Sequence, residues 1–381
     1  MAEKLTMPTL TILFQQRAQT AIARSQKGVA ALILRDALTA GQAWSLTSTA
    51  QIPEKLGKVN QDAVRRVFKG GVNPPRKVLV YCLGAEDTLD AEETDSQAEG
   101  VSGSAAEAKP GSGAAALRWL GTQKFDYLAG PADLSEAEAA VIKEWIIKKR
   151  EDDHVIFKAV LPHTAANNEG IVNFTASGIQ VEGDVFDAAS YCGRVAGLIA
   201  GTPMKQSVTY AALPEVEDIT RLSALEEDEA VGRGELILTH DGEKVKFGRG
   251  VNSLTTTTGR SEVWRKIKIV ELLDLLQWDL RLAIQDNYIG KFQNSYDNKL
   301  LLITSVKLYL QALAKDGLIE EDFSCDIDVE EQDAYLQSTG VATAEMTEQQ
   351  IREANTGTYV FLAIDIRPID AIEDVHIKIY L

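Results

Sequence analysis

Hydrophobic positions along the chain fall into short stretches whose period changes from two to about 3.6 and back. In Thr9-Leu10-Thr11-Ile12-Leu13-Phe14 the residues Leu10, Ile12 and Phe14 alternate, which predicts a strand. Residues 28–34 and 78–83 are unbroken apolar runs too short for helices, the pattern of strands buried on both faces. Between them, residues 61–68 have helical spacing and stop at Gly70-Gly71. From 114 to 203 the two patterns alternate. Helices are predicted over 114–120, 135–150 and 184–200, with Ser135-Glu136-Ala137-Glu138 as a capped start. Strands are predicted over 125–129, 154–161 and 171–175. Strand–helix alternation calls for a mostly parallel sheet covered on both faces. Residues 208–213, 234–241 and 244–249 predict antiparallel additions, with Asp241-Gly242 marking a tight hairpin.

A separate region opens at Ser261. A helix to about 288 carries Trp264, Ile267, Val270, Leu273, Leu276, Leu280 and Ile284 at three- and four-residue spacings. Leu272, Leu275, Trp278 and Leu282 widen that stripe, so the helix is buried on more than one side. Further helices are predicted over 300–315, ended by Asp316-Gly317, and over 347–354, opened by Thr347. Strands follow over 358–367 and 375–381. In the last, Val375, Ile377, Ile379 and Leu381 alternate with polar or amphipathic residues. Such a strand pairs with its own sheet or with a neighbour's.

A length of 381 residues predicts two or three domains. With 45% hydrophobic and 25% charged residues the chain reads as globular, not disordered. No apolar run reaches the roughly 18 residues of a membrane span, and the N-terminus has no secretory pattern. Cys82, Cys192 and Cys325 are far apart, which argues against a disulfide framework or a Cys-based zinc site and fits a reducing cytoplasm. The net charge is −17, yet residues 1–77 hold 12 basic and four acidic residues, a net of +8 that leaves −25 for the rest. So acidic a chain is ill suited to sequence-independent nucleic-acid binding. The basic segment is either complementary to an acidic partner or an ordinary solvated face. Residues 86–113, with eight acids, one lysine and many Ser, Gly and Ala, predict an exposed, mobile loop.

Chemistry is sparse. There is no P-loop and no GxGxxG after a strand; His154, His163, His240 and His376 are scattered, and HExxH and GxSxG are absent. The best case for catalysis is a serine hydrolase drawing on Asp126, His163 and a residue near Gly201. Gly201-Thr202-Pro203-Met204 is similar to a subtilase nucleophile signature, but Pro203 stands where the serine would be.

The order of parts resembles contractile phage tail sheath proteins. The residues that carry the likeness are the Ala-Gly-rich run Ala189-Ser190-Tyr191-Cys192-Gly193-Arg194-Val195-Ala196-Gly197-Leu198-Ile199-Ala200-Gly201-Thr202-Pro203, then Gly250-Val251-Asn252-Ser253-Leu254-Thr255-Thr256, then the helix from Val263 to Asn287-Tyr288-Ile289-Gly290-Lys291. They cover roughly the last 200 residues. The start departs from the family: many relatives have a Gly- and Trp-rich arm and a Pro-Gly-Val-Tyr-type strand, where this chain has Met7-Pro8-Thr9-Leu10. The resemblance implies an α/β and α+β multidomain fold: an N-terminal segment (1–77) with an arm strand, a subtilisin-like α/β domain (78–255) without a triad, and a smaller α+β C-terminal domain (256–381). It implies a subunit that polymerises in six-fold, helically stacked rings around a tail tube and contracts to drive the tube through the host envelope. Its partners would be itself, the tube protein, and baseplate and tail terminator proteins, without nucleic acid, membrane, cofactor, metal or catalytic residue. The virion tail, assembled in the host cytoplasm, would be its place. Family arms exchange strands between subunits, which assigns Leu10, Ile12, Phe14, Val375, Ile377, Ile379 and Leu381 to intersubunit pairing. A sheath from a phage-tail-like bacteriocin or a secretion system would share these features.

Overall fold

The structure, a computed structural model, describes residues 22–90, 109–259 and 261–381. Leu10, Ile12 and Phe14, and the middle of the acidic 86–113 segment, lie outside the described residues. The chain divides into a larger unit, Ser25–Trp278 with Pro368–Leu381, and a smaller one that includes Asp279–Arg367.

The larger unit contains, in chain order, β1 (Val29–Arg35), β2 (Ala43–Leu46), α1 (Lys58–Lys69), β3 (Lys77–Leu83), α2 (Gly113–Gly121), β4 (Tyr127–Ala129), α3 (Glu136–Glu151), β5 (Lys158–Pro162) and β6 (Ile171–Phe174). After these come β7 (Ile179–Val181), β8 (Asp184–Phe186), α4 (Ala188–Gly201), α5 (Ala224–Gly232), β9 (Glu235–Leu236), β10 (Leu238–His240), β11 (Val245–Phe247) and the start of α6 (Ile267–Asn287). Seven strands form one sheet in the order β2-β3-β1-β4-β5-β6-β9. Every pairing is parallel except β2 with β3.

Why the apolar runs are continuous is visible in β1. Ala30, Leu32 and Leu34 pack into the core beneath α1 and α4, while Val29, Ala31 and Ile33 enter the core beneath α2 and α3. Each strand residue therefore needs an apolar side chain, whichever way it points. On the second face Phe125, Trp145 and Phe157 stack, with the two Phe rings 4.1 Å apart. On the first, α4 approaches α1 through Gly193 and Gly197, and the loop after α1 through Gly201. A Cβ at Gly197 would lie 2.2 Å from the Val67 carbonyl oxygen, and one at Gly201 would lie 2.0 Å from that of Asn73. Only hydrogen fits there.

The mixed α/β fold class, with its sheet covered on both faces, is as expected. The details differ where turn chemistry overrides periodicity. The helix expected from Asp184 begins at Ala188, capped by Asp187 and Ser190; Asp184–Phe186 is instead a strand of the β7–β8 hairpin, turned by Glu182 and Gly183 at φ 53° and 87°. The strand expected from 154 begins at Lys158, since His154 adopts φ 52°. Residues 208–213 make only a single bridge, Ala212 to Lys246. Ahead of α6, Glu262–Arg265 is a 3-10 turn. The capping box at Ser135 is present as read.

The smaller unit holds α7 (Tyr296–Lys315), β12 (Ser324–Ile327), α8 (Val329–Ser338), α9 (Glu348–Glu353) and β13 (Leu362–Asp365). β12 and β13 form a two-stranded antiparallel sheet, with Ser324 opposite Asp365 and Ile327 opposite Leu362. The strand expected over 358–367 is thus confined to its centre.

Candidate intersubunit surface

Residues 375–381 pair with no strand among the described residues. Their apolar side chains face solvent, from 66% exposed at Val375 through 77% at Ile377 to 80% at Ile379, with Leu381 fully open. Four large aliphatic groups in seven residues are costly to leave in water, at about 1.5–3 kcal/mol each relative to burial. The segment has the period of a strand and lacks a strand's partner.

Immediately before it the chain is held tightly. Lys268 donates to the Ile369 carbonyl, Lys266 pairs with Asp370, and Arg249 pairs with Asp374. Glu373 turns inward, its side chain only 4% exposed. Its Oε1 accepts from Thr209 Oγ1 at 2.6 Å and Ser207 Oγ at 3.1 Å, and its Oε2 lies 3.0 Å from Lys266 Nζ. Thr209 is itself fixed, because its hydroxyl accepts from Gly250 N at 2.9 Å. Burial pushes the Lys266 ammonium down, but Asp370 and Glu373 outweigh it and hold its pKa above the ordinary value. None of the partners of residues 369–374 was legible beforehand, since each lies 100 residues or more away in the chain.

A second charged cluster sits in the larger unit where β1, β4 and β5 begin. Asp274 of α6 takes both Arg150 nitrogens, at 2.9 and 3.1 Å, and Lys158 Nζ at 2.7 Å. Glu271, one turn earlier, pairs with Lys27 and lies 3.6 Å from Lys158. Burial pushes the Asp274 and Glu271 carboxyls up. The cations beside them prevail, Lys158 and Arg150 for Asp274, Lys27 and Lys158 for Glu271, and both end below the usual range. Asp126 is different: burial, then the Glu271 charge, raise it, although it accepts from Gly28 N and Val29 N at 2.7 Å.

That position also separates the hydrolase candidates. Asp126 precedes β4 and is paired to strand starts, whereas His163 follows the last residue of β5. In the sheet Tyr127 is opposite Lys158, so Asp126 is level with Phe157 and His163 is six residues farther up the neighbouring strand, about 20 Å away along its axis. Gly201 ends α4 against Asn73. The three are not brought together. Among the described residues no group of His, Cys, Asp and Glu is placed to hold a metal ion, and no helix is long and apolar enough to cross a membrane.

The basic N-terminal segment spends much of its charge inside the chain. Lys27 pairs with Glu271, Arg35 with Asp133 and Glu138, and Arg65 with Asp62, while Arg66 lies 4.6 Å over the Phe186 ring. The acidic segment is likewise anchored at its described end, where Leu89 is buried and its N–H donates to Glu138.

Comparison with known proteins supplies what the geometry does not name. Residues 101–253 match the phage tail sheath protein central domain, and residues 260–381 match the phage tail sheath C-terminal domain. The chain is 36% identical over 378 residues to the tail sheath protein of Clostridium phage phiCD119, spanning 98% of each. Its fold is similar to that of a sheath tail protein from Desulfitobacterium hafniense, with a TM-score of 0.65 at 18% identity, over 84% of this chain and 94% of that one. It is also similar to the helical sheath of the anti-feeding prophage in its contracted state, with a TM-score of 0.66 at 14% identity, over 99% of each.

Proposed function

The chain belongs to the phage tail sheath family, and from that premise we propose that it is a structural, non-catalytic subunit of a contractile tail. Subunits form six-fold rings stacked helically around the tail tube, between baseplate and terminator proteins. Contraction drives the tube through the host envelope during genome ejection. The observation that carries this reading, beyond family membership, is the apolar segment 375–381, exposed and unpaired beside a firmly held anchor. A lattice whose subunits slide must stay connected, and backbone pairing to a neighbour's sheet does this while flexible arms absorb the motion.

The acceptor we assign is the β12–β13 sheet of an adjacent subunit. Each of its strands is bonded on one side only among the described residues. Cys325 and Ile327 point inward, and Leu362 and Ile364 are half-buried beside them. That apolar face continues naturally onto Val375, Ile377, Ile379 and Leu381 of an incoming strand. Leu10, Ile12 and Phe14 are proposed for the same kind of exchange, on the strength of their alternation.

Negative-stain electron microscopy of the purified protein, with and without its tail tube protein, tests the proposal. Tubes or stacked rings are expected, lost on deleting 375–381 while the subunit stays folded. Monodisperse particles under both conditions would overturn the sheath assembly; tubes formed normally by the truncation would overturn the strand assignment. A second reading, a sheath for a phage-tail-like particle without a genome, is favoured by the fold likeness to the anti-feeding prophage and to an extracellular contractile injection system. Capsid and terminase genes alongside would decide for a phage.

A further inference from the structure

We propose that Glu373 is a positioning residue that fixes where the exchange strand leaves its own subunit. The inference rests on the strand-exchange reading and adds its point of attachment. Four contacts restrain residues 369–374, but they differ in environment. Asp370 and Asp374 have side chains 29% and 67% exposed, and ion pairs that open to water hold little. Glu373 is the buried one, with two hydroxyls and an ammonium converging on it from two parts of the larger unit: Ser207 and Thr209 before the β10–β11 hairpin, and Lys266 at the head of α6. A carboxylate taken out of water, with two hydroxyl donors on one oxygen and an ammonium 3.0 Å from the other, defines one geometry for the backbone that carries it. One residue later the chain is released, and every apolar side chain beyond is exposed. The contacts change from buried to absent within two residues, which is how a hinge between anchor and arm would be built.

The anchor sets the free length of the arm. With Glu373 seated, the arm is residues 375–381, seven residues. Without it, the next interior hold is Lys268 on the Ile369 carbonyl, and the free arm becomes residues 370–381, or 12. The chance that a flexible arm places its end on a given acceptor falls as about the three-halves power of length, which gives roughly a twofold loss in effective concentration. Loss of a fixed direction adds to that.

The test measures the critical subunit concentration for polymerisation, by sedimentation of the full chain, alongside the thermal melt of the soluble subunit. Four chains are compared: the parent, Glu373→Ala, a deletion of 375–381, and an insertion of five Gly/Ser residues between Asp374 and Val375. The insertion leaves the anchor intact and gives the arm the same 12 residues. Expected are no assembly by the deletion, and a critical concentration raised at least twofold in both Glu373→Ala and the insertion, with melting within the parent's range. A nitroxide on Lys378→Cys reports the arm directly. The three native cysteines are buried, and burial pushes the Cys82 thiol up to about 11, so they leave the new thiol as the one labelled. Its spectrum should sharpen in Glu373→Ala. If Glu373→Ala and the insertion assemble at the parent's concentration while the deletion does not, the positioning role is overturned and strand exchange stands. If the deletion itself assembles, strand exchange fails and takes this inference with it. Should Glu373→Ala misfold, the insertion decides alone.

Discussion

Replacing Asp274 by Asn removes one charge and leaves its shape, at a site where the structure gives the cost. Asp274 is 4% exposed in its side chain, Lys158 is 3% and Arg150 is 10%. Its oxygens meet Lys158 at 2.7 Å and Arg150 at 2.9 and 3.1 Å. Each ion pair is worth about 6 kcal/mol at an effective dielectric constant of 20, before desolvation is charged against it. Most of that is cancelled by stripping water from the ions, but removing one partner leaves the stripped cations behind, typically at 3–5 kcal/mol. Two observations place Asp274→Asn at the lower end. Lys158 keeps Glu271 at 3.6 Å, and Arg150 keeps the Phe157 carbonyl at 3.3 Å and Glu169 at 3.7 Å. A loss of about 3 kcal/mol is expected, which for a unit of this size lowers the melting midpoint by about 6–12 °C. Thermal unfolding of the unassembled subunit, followed by circular dichroism, reads it. The companion variant removes one charge of each sign, Lys158→Met with Asp274→Leu, and should lie within about 1 kcal/mol of the parent, because Arg150 then keeps Glu169 and Glu271 keeps Lys27. An Asp274→Asn protein that loses less than about 1 kcal/mol, or a double variant as damaged as the single one, would refute the reasoning.

The pH dependence follows from the same groups. Asp274 and Glu271, like Glu138 and Glu215, have folded-state pKa values below the ordinary carboxylate range. Their contribution is therefore complete above about pH 4.5 and lost as pH falls through the depressed values. Asp126 is shifted the other way, so it favours the folded state when protonated and offsets part of the loss. Denaturant titrations should show stability nearly flat from pH 7 to 5 and falling below 4.5; a fall that begins near pH 6 would contradict these assignments. At the α1–α4 seam, Gly197→Ala should destabilise by about 1–3 kcal/mol despite Ala's better helix propensity, because its Cβ meets the Val67 backbone. Gly232→Ala in α5, with no atom within 4 Å of the added carbon, is the control and should be neutral or slightly stabilising in the same melt.

Much of the sheet was legible because a strand covered on both faces has no polar face to hide. Val29–Arg35 and Lys77–Leu83 announce themselves as apolar runs. Helix starts were legible where a side chain caps them, as at Ser135 and Thr347. Short edge elements were not: β2 has four residues and β9 two, too few for any period to emerge. Helices Ala224–Gly232 and Val329–Ser338 were passed over because acidic residues crowd their first turns and few side chains are buried. The alternation of Val375, Ile377, Ile379 and Leu381 predicted a strand, and the structure leaves that segment exposed and unpaired among the described residues. The anchor behind it could not be read, because Glu373 looks like any acidic residue until Ser207, Thr209 and Lys266 are folded around it. The segment's charge was misleading for the same reason: Arg35 and Lys27 are basic in composition but already matched in space.

The three glycines along α4 have a consequence for how this chain can vary. Where two side chains meet, an enlarged one can be accommodated by trimming the other, so a damaging change has a second-site remedy. At Gly197 and Gly201 the atoms opposite are carbonyl oxygens of Val67 and Asn73, and a carbonyl cannot be trimmed by any codon. Suppressors of a substitution there would have to move backbone away from α4, that of α1 itself at Gly197 and that of the loop after α1 at Gly201. A selection for restored particles should recover true revertants at these positions, and compensating pairs elsewhere in the same core.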